Sequence, residues 1–449
     1  MRISCLLESD VTDGTSPAVV VAMVAGTSPL AQPVFGRPWQ DEPMSDAAPR
    51  ESTPPRSARD GTEDWLARAH EVSWIRRPRE LGAEPRWFPG ASLNTCYNAL
   101  DRHVVRGHGD EPALLVEAPG DRSAWTFADL LERTAAFAGA LRGFGVRPGD
   151  RVLVHLPTRA EAVVTMLACA RIGGVHAVVA PDVDAERLTT TLDDLRPAVV
   201  VTTADVRPRS VLDRALAASR HRPGTVVVHR RRATRAEEDV DPGDPHDVDW
   251  DTALHAGATD PAGSLEVEAT DPLYVLTAAG QAGTVRDNGA HAVAAAWVVA
   301  QVLGGHSASV WWATSPLSTG AGQLLSLYAP LVRGLTTVLH DSGGRAPTAE
   351  ELSSTVRRHG VDVVLTTADA LRSWRDGEAD RGAAHPAARP LRVLAVVDGP
   401  LDDGVRRCAE ERLAERVLAA PGGRPVPEDP FLATYGVSAL AGSPSGPVG

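Results

Sequence analysis

From Thr126 onward the chain alternates between helical and strand periodicity, and this alternation limits its folds more than any other feature of the 449 residues. Thr126 with Asp129 three residues on predicts a capped helix start. Phe127, Leu130, Leu131, Thr134, Ala138 and Leu141 then share one helical face. "GVRPGD" ends that helix and "RVLVHLP" is a short apolar strand. The helix "RAEAVVTMLACARIG" leads to the strand "VHAVVA", and a third helix leads to "AVVVTT". Strands without polar alternation, separated by helices, are buried on both faces, which predicts an α/β protein with parallel sheets.

The pattern pauses at the arginine-rich stretch from His229 to Asp249, which reads as a solvated loop rather than an anion site. It resumes with "PLYVL", a helix over Ala290 to Leu303, "SVWWAT", a helix into "YAPLVRG", then "LTTVLH", "DVVLTT" and "LRVLAVV". Trp311 and Trp312 read as strand core rather than ligand contacts. One architecture is used twice, without an exact sequence repeat.

Residues 1 to about 60 are rich in Pro, Ser, Asp and Ala and bury too little apolar surface to order themselves. Folded sequence is expected from Trp65, and removing what precedes it is expected to leave the melting temperature nearly unchanged. "AVVVAMVAG" resembles a signal core, but Glu8, Asp10 and Asp13 precede it where positive charge belongs. It reads as a leader outside the fold, with Met44 a second candidate start. No apolar run reaches the roughly 18 to 20 residues of a membrane span. A net charge of −13 argues against nucleic acid or an anionic membrane as partner. Cys5, Cys96, Cys169 and Cys408 form no C-x-x-C pair and read as core residues of a cytoplasmic protein.

"YVLTAAGQAGTVRDNG", Tyr274 to Gly289, is a strand running into a glycine loop of the kind that cradles phosphate. Phosphate chemistry normally places a lysine beside such a loop. None follows, and all 45 Lys/Arg positions of the chain are arginine.

Together with "LNTCYNALDRHVVRGHGDEPALL" (Leu93 to Leu115) and "MLACARIGGVHAVV", the segment "VRDNGAHAVA" resembles AMP-forming acetyl- and propionyl-CoA synthetases, "VRDNGAH" leaning toward the propionyl side. The resemblance runs in order from about Trp65 to the last residue. It implies the large N-terminal domain of the adenylate-forming superfamily: two doubly wound subdomains and a small β-rich part. The implied division is an extension over 1–60, a synthetase-like N-terminal segment over 65–125, and an AMP-binding domain over 126–449, with the family's C-terminal lid domain expected to be absent.

In that family the strand is followed by Y-T-S-G-T-T-G-K-P-K-G, whose hydroxyls, amides and lysines hold the β- and γ-phosphates. Here Thr277 ends the strand, and Gly280 and Gly283 keep the glycine skeleton. Ala278, Ala279, Gln281 and Ala282 take the Thr/Ser positions, and K-P-K-G is missing before Thr284. The acyl-pocket segment D-V-G-W aligns with Pro316, Leu317, Ser318 and Thr319. The F-G-G-F-S loop near the CoA site becomes Ala180 to Asp184. Glu186 survives, while one of Thr189 to Thr191 replaces the arginine expected after it. A-G-E beside the adenine pocket reads Val397, Asp398, Gly399. Tyr435 and Ser438 stand for the aromatic and threonine of the aromatic-x-T-E motif, with Ala439 replacing the magnesium glutamate.

The nucleotide-binding remnant is thus Thr277, Gly280, Gly283, Tyr435 and Ser438, and the acyl-pocket remnant Ser318 and Thr319. No catalytic residue and no metal ligand is assigned. The resemblance implies AMP, ATP or an acyl-adenylate as ligand, without magnesium. Three readings follow: an impaired synthetase-like protein, an active acid–thiol ligase that uses arginines and a partner-supplied lid, or a non-catalytic binding or regulatory partner of an intact synthetase. The expected protein partner is an intact synthetase or, as a homo-oligomer, a second copy.

Overall fold

The apolar runs fold into two seven-stranded sheets with the same strand arrangement. The computed structural model describes residues 63–82, 86–118, 122–204, 206–230, 247–277, 283–303, 308–341, 347–381 and 391–420. The N-terminal extension, and all but the ends of the arginine-rich stretch, lie outside the described residues.

In the first sheet the chain enters at Arg151–His155 and crosses to Val175–Val178 on one side. It then returns to Val199–Thr203 on the other side and continues to Thr225–His229 and Val248–Asp249, all in parallel. The second sheet repeats the course: Val310–Ala313, Thr336–His340 on one side, then Val363–Thr366, Val393–Pro400 and Val417–Ala420 on the other. In each, the strand order reverses beside the first strand. That leaves a crevice at the C-terminal edge between strands whose crossover helices lie on opposite faces.

Each sheet is completed by a hairpin from the other half of the chain. Pro112–Glu117 and Ala124–Thr126 come before the strands of the first sheet, yet pair onto Thr336–His340 of the second. Pro272–Leu276 and Thr284–Asp287 come before the strands of the second sheet, yet pair onto Val175–Val178 of the first. Within each hairpin one strand is parallel to the sheet and the last is antiparallel. Among the described residues, the only strands outside the two sheets are Ser92–Leu93 and Val267–Glu268, an antiparallel pair.

The helices follow their sequence patterns. Phe127–Gly143 begins at a complete capping box, in which Thr126 Oγ1 accepts from Asp129 N–H and the Asp129 carboxylate accepts from Thr126 N–H. Ala160–Arg171 and Asn288–Leu303 have no polar face and are buried nearly all round. Ala185–Leu195 and Ala349–His359 bury only one stripe and keep their charges in solvent. Trp311 and Trp312 are both core, pointing to opposite faces of their strand. The Trp311 indole N–H donates to Leu325 O at 2.8 Å. Near the start, Arg171 forms a bidentate pair with Asp101 at 2.7 and 3.0 Å and donates to Ala262 O, fixing the Tyr97–Val105 helical turns to the first sheet's central helix.

Candidate functional site

The two sheets touch at the residues that follow the C-terminal ends of two of their strands. Arg159, just past Arg151–His155, lies 3.7 Å from Asp341, just past Thr336–His340, and both side chains are buried. This pair joins the loops of one sheet to those of the other.

The phosphate-type hairpin sits on the same edge. Pro272–Leu276 runs parallel to Val175–Val178, so its end, Leu276 and Thr277, lies at the C-terminal edge of the first sheet. Leu276 pairs with Thr284 across the hairpin, which leaves residues 277–283 to close the turn. Thr277 is half-buried and Gly283 exposed. A Cβ at Gly283 would lie 2.5 Å from Val275 Cγ1, so the return strand needs glycine there for close approach. Gly280 lies outside the described residues. Of residues 277–283 only Thr277 carries a hydroxyl, and none carries a charge. Arg286 stands on the return strand opposite Tyr274.

The acyl-type loop follows the first strand of the second sheet. Thr314 Oγ1 and Thr366 Oγ1 are 3.0 Å apart across the point where the strand order reverses. Ser326 returns its hydroxyl to the carbonyls of Ala313 and Ser315. Thr319 caps the next helix: its Oγ1 accepts from Gly322 N–H at 2.9 Å and donates to Pro316 O at 2.8 Å. That hydroxyl is therefore committed to the turn. Ser318 is half-buried and Leu317 buried. Gly322 is required, because a Cβ there would meet Pro316 O at 1.8 Å.

The hairpin and the loop are tied through the core. The Tyr274 hydroxyl is 3.3 Å from His291 Nδ1, and the His291 ring packs edge-on against both Tyr274 and Tyr328. Burial keeps His291 neutral by pushing its pKa well below the ordinary histidine value, and it pushes the Tyr274 hydroxyl up. Asp287 ends the return strand and accepts from Ala290 N–H at 2.7 Å at the start of the Asn288–Leu303 helix. Burial raises its carboxyl to about 7, opposed by the Ala290 N–H and Arg286. On the first sheet's edge, burial pushes His155 down to about 4, opposed by the Pro181 carbonyl.

The expected site residues thus fall in two described groups, Thr277 with Gly283 and Ser318 with Thr319, while Gly280, Tyr435 and Ser438 lie outside the described residues. Among the described residues no group of three or more His, Cys, Asp and Glu side chains could hold a metal ion. Sequence reading passed over the Thr314–Thr366 pair, Gly322 and Asp287. The first had a signal, since "ATSP" and "LTT" each put threonine at the end of an apolar run; the pairing itself is long-range.

Residues 101–422 match the AMP-binding enzyme family. An uncharacterised protein of Pseudomonas aeruginosa, PA3568, is 32% identical over 383 residues, covering 81% of this chain and 60% of the relative. The human mitochondrial acyl-CoA synthetase short-chain family member 3 is 31% identical over 347 residues, 73% of this chain and 50% of the relative. Acetyl-coenzyme A synthetase of Syntrophus aciditrophicus is 31% identical over 328 residues, 71% of this chain and 50% of the relative. The chain therefore spans about half to three-fifths of the length of these relatives. A Brucella canis acyl-CoA synthetase crystal structure shares the fold, with a TM-score of 0.65 at 20% identity, covering 81% of this chain and 60% of that one.

Proposed function

The chain belongs to the AMP-binding enzyme family, alongside acyl-CoA synthetases, and from that premise we propose that it is an acyl-CoA synthetase-like protein of the acetate/propionate group with impaired catalysis. The observation that carries this reading is the hairpin at residues 277–283. By the sequence resemblance it corresponds to the segment with which the family grips a triphosphate, and its residues include one hydroxyl and no cation. Backbone amides of a turn still favour an anion. They do not replace charge-assisted bonds to phosphate oxygens, which are roughly twice as strong as neutral ones. Arginine elsewhere in the chain is a poor substitute, since its planar fork seldom fits a cavity shaped for an ammonium.

Residual binding on this reading favours AMP or an acyl-adenylate over ATP, because adenine and ribose sites are shape-defined and partly apolar. Titration calorimetry with AMP, ATP and magnesium tests it. Tighter, magnesium-dependent ATP binding would overturn the proposal in favour of an active ligase. A cytoplasmic setting is part of the proposal and rests on Cys96 and Cys169 being buried and unpaired. No helix among the described residues is long and apolar enough to cross a membrane.

A further inference from the structure

Three fully buried polar side chains from the two halves of the fold meet at one seam: His176 on the first sheet, with Gln323 and Tyr328 on the helix that follows the acyl-type loop. His176 Nε2 and Gln323 Oε1 are 3.0 Å apart, and the His176 and Tyr328 rings lie 6.2 Å apart at 29°. The hydrogen-bond inventory does not close within the protein. His176 Nδ1, Gln323 Nε2 and the Tyr328 hydroxyl have no protein partner. A buried group left unpaired weakens the folding equilibrium by on the order of ten- to a hundredfold. Three together would consume much of a typical protein's stability.

The backbone supplies an independent observation. Gln323–Tyr328 is a π-helical stretch between two α-helical turns. In an α-helix, residues five apart point roughly 140° away from each other. A π turn closes from i to i+5 and returns both to nearly one side. The wider turn thus aims Gln323 and Tyr328 at the same seam, an arrangement that π turns serve at functional points of a helix.

We propose that His176 Nδ1, Gln323 Nε2 and the Tyr328 hydroxyl bind ordered internal water, making the joint between the two halves a wet, hydrogen-bonded one. With the Gln323 oxygen accepting from His176 Nε2–H, Nδ1 is an acceptor and the amide a double donor, so water donates to one and accepts from the other. Reversing the amide reverses the roles and leaves as many bonds unmet. Burial holds the His176 ring neutral, which preserves its acceptor.

A high-resolution crystal structure of the unmodified chain, with urea denaturation of Tyr328→Phe and Gln323→Leu, tests this. Expected is density for water within about 3.2 Å of at least two of the three atoms. Tyr328→Phe is expected to lower the folding constant by about two- to tenfold, because the water loses a partner. Well-ordered side chains with no water between them would overturn the proposal. So would an unchanged or more stable Tyr328→Phe, since deleting a dry, unpaired hydroxyl relieves a cost.

Discussion

At Asp287 two effects oppose each other. The Ala290 N–H at the helix start favours the carboxylate, while burial penalises it and wins, raising the carboxyl from 3.8 to about 7. A raised carboxyl makes its stability contribution below the unfolded value. Between about pH 4 and 7 the unfolded carboxyl ionises while the folded one keeps its proton, so stability declines through that window and levels off above it. Asp287→Asn keeps the cap and removes the titration. It is expected to gain on the order of 1–3 kcal/mol relative to the parent between pH 4.5 and pH 8. Urea denaturation at the two pH values checks this, and a pH-independent difference would refute it. The buried histidines act at the acid end. His155 and His176 are each held down to about 4 by burial, so their stabilising neutrality is complete above 6.5 and is lost as pH falls toward 4. The parent and Asp287→Asn share this loss, so it cancels in their comparison. Gly322 sets a different limit. Gly322→Ala puts a methyl against Pro316 O and is expected to cost about 1–3 kcal/mol or more, read as a lower denaturation midpoint. An unshifted midpoint would mean that the loop between the second sheet's first strand and its helix has room to spare.

Among the elements, local signals were legible and long-range pairings were not. The Thr126–Asp129 capping box, the apolar strands and the tryptophan pair follow from neighbours within a few residues. Pro112–Glu117 was not read as a strand, and it lies well before the sheet it joins. The π turn at Gln323–Tyr328 has no periodicity of its own to find, and the His176–Gln323 bond spans 147 positions. The site divides the same way. The glycine skeleton and the missing cations were visible as letters, whereas the commitment of the Thr319 hydroxyl to Gly322 and Pro316 is visible only in three dimensions. The hairpin therefore carries an element-level prediction. Inserting Lys-Pro-Lys-Gly before Thr284 is expected not to restore adenylation, because alanine or glutamine still occupies positions 278, 279, 281 and 282, and alanine position 439. Recovery of acid-dependent turnover in that insertion variant would show that the cations alone had been missing.

For the whole molecule, the exchanged hairpins make each half incomplete without the other. Residues N-terminal to the first sheet's strands finish the second sheet, and the hairpin before the second sheet's strands finishes the first. Unfolding is therefore expected to be one cooperative transition, with fluorescence and far-UV circular dichroism coincident. Two separated transitions would show that the halves are independent despite the exchange. The hairpin strands Pro272–Leu276 and Thr284–Asp287 stand at the edge of the first sheet, and the proposed loss of activity rests on the residues between them. Forming an acyl-adenylate expels pyrophosphate, and fixed donors must meet the charge that builds there. Losing one such donor commonly costs about 10²- to 10³-fold, and two independent losses remove on the order of 10⁴-fold from a turnover typically near 10 per second. Acetate- or propionate-dependent ATP–pyrophosphate exchange by the purified chain, beside an intact synthetase as control, measures this directly. The expected result is exchange no greater than background; exchange above background that vanishes on Arg286→Ala would contradict the account and establish arginine as the working cation.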